Sequence, residues 1–193
     1  MRRRHQKRLK LEPLESRVML SATDDVASAV SAETILDTAI HSNGLAIDVR
    51  LTALDRMVII HGPGHGNVTI DLSQLPATTR SLQISSFDSV ILIGEHSVDN
   101  LVLKNIDQVD AGRISIGTSI SEGNGFQTGL YAFDVERIKL ETAPALVVLQ
   151  GADGRIGGRT LLEAGQFTEG GSIWSSLDSL GLSTTSSVQD LYV

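Results

Sequence analysis

His61 and His65 stand four residues apart in His61-Gly62-Pro63-Gly64-His65-Gly66-Asn67, directly after the apolar run Met57 to Ile60. Two imidazoles could ligate a metal if this turn folded back on itself, but no third ligand accompanies them. Alternating glycines after a strand also suggest a phosphate cradle. A dinucleotide loop needs a different glycine spacing and a following helix, whereas Val68-Thr69-Ile70 continues as a strand, so the segment is read as a glycine-rich hairpin. A second group is acidic: Asp88, Glu95, Asp99, Asp107 and Asp110 fall at turns between apolar runs. Two carboxyls about 5 to 10 Å apart in a cleft can hydrolyse a glycosidic bond, as in polysaccharide-acting β-helix enzymes. Singly, such residues solvate turns and cap exposed amides, which is the preferred reading. There is no Gly-x-Ser-x-Gly elbow, no hydrolase-like order of Ser, His and acid, and no cysteine. No catalytic residue and no metal ligand is assigned, and a non-enzyme is favoured.

Gly151-Ala152-Asp153-Gly154 through Gly157-Gly158 follows the apolar run Leu146 to Leu149. It resembles the calcium-binding nonapeptide of RTX proteins, where aspartate and backbone carbonyls in tight turns supply hard oxygen ligands. A single copy lacks the stacked neighbour that completes each ion site, so the stretch is read as a turn ending a stack of strands. No cofactor is expected, with calcium at this turn as the alternative.

Charge divides the chain unevenly. Residues 1–17 carry seven of the 16 Lys and Arg against Glu12 and Glu15, a net of +5; the remaining nine basic and 21 acidic residues give −12. A basic arm can bind phosphates by counterion release, but an acidic body without basic patches and interleaved aromatics repels them, so no nucleic-acid partner is expected. No apolar run approaches the roughly 18 residues of a transmembrane helix, and none is expected.

The basic start of the arm is not followed by the 7 to 15 apolar residues, about the length a secretory signal needs. Leu11 to Leu20 reads LEPLESRVML, interrupted by two glutamates and an arginine, although Ser21-Ala22 has the look of a small-residue boundary. Instead, Arg8 to Ala22, RLKLEPLESRVMLSA, resembles the LEPR-XLL element found at the start of large surface and secreted proteins of planctomycete-type and some other Gram-negative bacteria. Leu14 and Glu15 take the family's Leu-Glu, Arg17 its Arg, and Leu20, Ser21 and Ala22 its closing Leu-Ser-Ala. Leu11, Glu12 and Pro13 fit its extended form. Ser16 stands where the family usually has Pro, and Met19 where it has Leu.

The resemblance implies an address read by export or sorting machinery, hence an extracellular or cell-surface destination, and implies no activity. Family members are commonly far longer, so the chain is expected to be a short member or the amino-terminal fragment of a larger surface protein. Physically, Leu11, Leu14, Val18 and Leu20 with Met19 form one apolar face of a short helix begun near Pro13. Such a face suits a receptor groove or a membrane surface.

Elements that could position these groups follow from periodicity. Residues 23–44 read as a linker with a helix within about 32 to 42, stopped by Asn43-Gly44 and docking as a cap or serving only as a connection. From Leu45 to about residue 160, short runs such as MVIIHG, NVTIDL, SLQIS, VILIG, LVLKN, RISIG and ALVVLQG recur about every ten residues. Val, Ile and Leu make 55 of 193 residues, but Phe, Tyr and Trp only seven. Stacked aliphatics fill a narrow interior without large rings, so the expected fold is mainly β, a solenoid like a right-handed parallel β-helix, with a β-sandwich as the alternative. Residues 1–22 form a disordered or short-helical sorting arm, and serine-rich residues 161–193 a polar tail or cap, in which Trp174, Leu177 and Leu180 or Leu182 make a brief capping turn. The expected role is a non-catalytic structural or adhesive protein of the cell envelope, with a polysaccharide-acting β-helix enzyme as the rival.

Overall fold

The computed structural model describes residues 31–52, 56–117, 128–168 and 171–193. The sorting segment, with Leu11, Glu12, Pro13, Leu14, Glu15, Arg17, Leu20, Ser21 and Ala22, lies outside the described residues. In chain order the elements are α1 (Ala32–Ala39), β1 (Ile40–Ser42), β2 (Asp48–Thr52), β3 (Met57–His61), β4 (Asn67–Asp71), β5 (Ser81–Val98) and β6 (Asn100–Ile116). They continue with β7 (Gly129–Ala143), β8 (Leu146–Gln150), β9 (Arg159–Phe167), β10 (Ser172–Ser175), β11 (Ser179–Thr184) and β12 (Asp190–Tyr192).

The architecture is a β-solenoid of about 6 turns, as expected, and not a sandwich. Its first face stacks β3, the first part of β5, of β6 and of β7, then β8, β10 and β12, all parallel. Its second face stacks β4, the later parts of β5, β6 and β7, then β9 and β11, again parallel.

Alternation decides what goes inside. On the first face Val58, Leu82, Leu101, Leu130, Val147 and Ile173 occupy the same position of successive strands and are all buried. Val68, Val90, Val109, Ile138 and Leu162 do the same on the second face. Neighbouring strands lie about 4.8 Å apart, so stacked aliphatics touch and leave no room for rings except at corners. Phe87 and Phe167 are the only aromatic residues buried among those described.

The corner between the faces has its own ladder. Ser86, Asn105 and Asp134 adopt φ of 67°, 52° and 55° on successive coils. One left-handed residue redirects the chain while pairing resumes on either side, Lys104 with Phe133 and Ile106 with Val135. Hence the runs SLQIS and VILIG, separate in sequence, belong to the single strand β5.

α1 closes the first end. The Ser31 hydroxyl caps it by accepting from the Thr34 amide at 3.1 Å, and Ile35 and Ala39 are buried. The helix packs on β1, β2, β4 and the turn Leu72–Gln74, so the linker helix docks as a cap. β1 and β2 pair antiparallel, with β4 and β3 respectively, so both lie beside the parallel stack instead of within it.

Strand pairing also runs on through residues 161–193, where a polar tail or cap is expected. Leu162 and Ile173 enter the interior, while serines fill outward positions and bends. Trp174, Leu180 and Leu182 are strand residues in β10 and β11, not members of a capping turn.

Candidate functional site

The glycine-rich segment is not a hairpin. β3 and β4 do not pair with each other; both pair with β5, so residues 62–66 carry the chain across a corner from one face to the other. Its amides are already used: Gly62 N–H donates to Ser85 O at 2.9 Å, Gly64 N–H to Ser86 O at 3.0 Å, and Gly66 N–H to Asp88 Oδ2 at 2.7 Å. A phosphate would find none of these three donors free. His61 Nδ1 lies 2.9 Å from Ser85 Oγ on the adjoining coil, an arrangement that can pass a proton between hydroxyl and imidazole. Ser85, however, is only 6% exposed, which keeps a substrate carbonyl from its oxygen. His65 is exposed, and no cluster of three His, Asp or Glu suited to a metal occurs among the described residues.

Of the five acids expected at turns only Asp99 lies between strands, Asp88 and Glu95 being in β5 and Asp107 and Asp110 in β6, and Glu95, Asp107 and Asp110 line three different cavities. Asp88 caps Gly66, Glu95 Oε1 pairs with Arg113 Nη1 at 3.1 Å, and Asp110 Oδ2 with Lys139 Nζ at 3.4 Å. Asp107 lines a shallow cavity of about 310 Å³ with Glu136, Arg137 and Arg159. The closest approach to a paired site involves a residue that sequence reasoning passed over: Arg113 also reaches Glu141 Oε2 at 3.7 Å, so one guanidinium stands between two carboxylates in a groove of about 630 Å³. His96 lines the same groove. Its Nε2 is buried with no hydrogen-bond partner, and burial pulls its pKa below 6.5, partly offset by a hydrogen bond with the Thr79 backbone.

At Gly151 to Gly158 the chain forms a tight turn with Asp153 at φ 55°. The carbonyls of Gly151, Ala152 and Arg155 accept from Gly154, Arg155 and Gly151 at 3.0–3.1 Å, so three candidate calcium oxygens already hold amide partners.

A feature not anticipated from the sequence is the contrast between the two outer surfaces. On the second face, charges pair across coils: besides Asp110 with Lys139, Arg137 donates from Nε and Nη2 to Glu163 Oε2 at 3.0 and 2.8 Å. On the first face the central outward file is Ile59, Gln83, Val102, Tyr131, Val148, Trp174 and Tyr192. Tyr131, Phe133, Trp174 and Tyr192 all point outward here, so four of the six described aromatic residues share this surface. Trp174 and Tyr192 are 52% and 49% exposed and stack with centroids 4.4 Å apart. Burial raises the pKa of Tyr131 above its ordinary value. Lys104 Nζ rests 5.5 Å from the Phe133 ring centroid.

Among the described residues no helix is long and apolar enough to cross a membrane. Comparison with family models, curated proteins and solved structures finds no match for the chain.

Proposed function

We propose that this is a non-catalytic structural or adhesive protein exported to the cell surface, addressed there by the LEPR-XLL-like segment through Leu11, Glu12, Pro13, Leu14, Glu15, Arg17, Leu20, Ser21 and Ala22. The observation that carries the non-catalytic part is the use of its outer charges. Glu95, Asp110, Glu141 and Glu163 each face a cation from a neighbouring coil at 2.8–3.7 Å, so each of these carboxylates is paired with a positive charge. Export or sorting machinery is the partner of the arm, and the reading needs no cofactor. Fusing residues 1–22 to a reporter and fractionating the cells tests the address: the reporter is expected in the envelope or medium, and a cytosolic reporter rejects it.

The rival, a polysaccharide hydrolase, draws support from Glu95 and Glu141 facing the same groove. Arg113 between them occupies the space that a glycosidic bond or an attacking water needs. Reducing-sugar release from a panel of polysaccharides, abolished by Glu95→Gln or Glu141→Gln, would establish the rival; no release from the parent chain supports the non-catalytic reading.

A further inference from the structure

We infer that the outer surface of the first face is a self-association surface, and that its occupant is a second copy of this chain. The described body is acidic, with nine basic residues against sixteen acidic ones, so two copies repel wherever their charges face each other. The first face is the exception. Across the outward positions of its seven strands only Lys104 and Asp190 carry formal charge, and they are opposite in sign.

Their placement is symmetric. Lys104 is the fifth residue of the third strand in this stack, Asp190 the first residue of the seventh, and Val148 the third residue of the fifth. Val148 is therefore midway between them both along and across the strands. A two-fold contact is self-complementary, each pair occurring twice. An axis lying in the contact plane over Val148, perpendicular to the line from Lys104 to Asp190, brings Lys104 of one copy to Asp190 of the other, and the reverse, while Val148 meets its own counterpart. These two charges then neutralise each other, and the Val, Tyr and Trp file between them loses water.

The rings argue for a protein surface over a sugar. Trp174 and Tyr192 stack on one another, so each ring has one face covered and offers a pyranose at most the other. The area sets the strength: five residues by seven strands span about 16 by 29 Å, at the small end of specific interfaces, so association in the micromolar range is expected. This inference is independent of the destination of the chain.

Sedimentation velocity of the full chain from about 1 to 100 μM tests it, with circular dichroism reporting the fold of every variant. The parent is expected to shift from monomer to dimer. Val148→Arg, which sets like charges together at the axis, is expected to weaken association at least about tenfold. Lys104→Asp is expected to weaken it as well, and Lys104→Asp with Asp190→Lys to restore it. A parent that stays monomeric, a folded Val148→Arg chain that dimerises as before, or a double variant that does not recover overturns the inference. So does quenching of Trp174 fluorescence by an oligosaccharide in a chain that remains monomeric.

Discussion

Asn105 and Asp134 stand one above the other at the same corner of successive coils, both left-handed, with φ of 52° and 55°. Asn and Asp tolerate this conformation better than most residues because their short side chains bond locally, whereas a β-branched residue meets its own carbonyl. Asn105→Val is expected to destabilise the fold by about 1–2 kcal/mol and Asn105→Gly to be close to neutral. Urea unfolding compares them; equal losses for both would mean that the corner conformation is not the cause.

The aliphatic file through Leu101 predicts a larger effect. Leu101 is fully buried between Leu82 and Leu130, with neighbours fixed by backbone pairing that cannot close over a void. Leu101→Ala is expected to cost about 2–5 kcal/mol in the same measurement. A loss below about 1 kcal/mol would mean that the interior is not packed as described.

Two glycines of one corner are expected to differ. A Cβ added at Gly62 lands on the Ser86 carbonyl oxygen and the buried Phe87 ring, while one at Gly64 meets nothing but must hold φ near 91°. Gly62→Ala is therefore expected to lower the Tm clearly more than Gly64→Ala, whose cost of about 1 kcal/mol is that of a left-handed non-glycine residue.

His96 gives the pH dependence. Its folded pKa is below 6.5, so in mildly acidic solution the unfolded chain takes up a proton that the folded ring resists. The contribution is full above about pH 6.5 and is lost as the pH falls through that value. The stability of the parent minus that of His96→Gln is expected to fall on acidification. A difference that rises in the parent's favour as the pH drops would mean that the folded ring binds its proton more tightly than the unfolded one.

Arg137 and Glu163 make the least exposed ion pair among the described residues, yet their side chains remain 48% and 29% exposed. Solvent screening limits such a pair to under about 1 kcal/mol, so Arg137→Met is expected to shift the urea midpoint little, and less still at high salt.

Much of the stack was legible because alternation is local. Runs such as Asn67 to Asp71 alternate Val68 and Ile70 with polar neighbours, and the spacing of Ile35, Leu36 and Ile40 marked the cap helix, although it ends at Ala39 and gives way to β1 before the expected stop at Asn43-Gly44. The repeat was hidden by unequal coils: Ser81 pairs with Asn100, but Asn100 pairs with Gly129 and Leu130 with Val147, so no fixed period aligns. The same irregularity concealed the ion pairs, whose partners are 18, 26 and 29 residues apart. Serine content hid the last strands, because an outward position accepts serine as readily as a loop does. The corner at residues 62–66 looked like a hairpin because glycine spacing reports a turn without saying which strands it joins.

Neighbour-only stacking also governs how the chain yields to force. Each coil is held by the one before and the one after, so a steady pull need not break the whole body at once. Peeling proceeds in steps, and the coil that takes Ser81 to Asn100 releases about 65 Å of slack when it opens. The molecule behaves as a spool that lets out line in measured lengths.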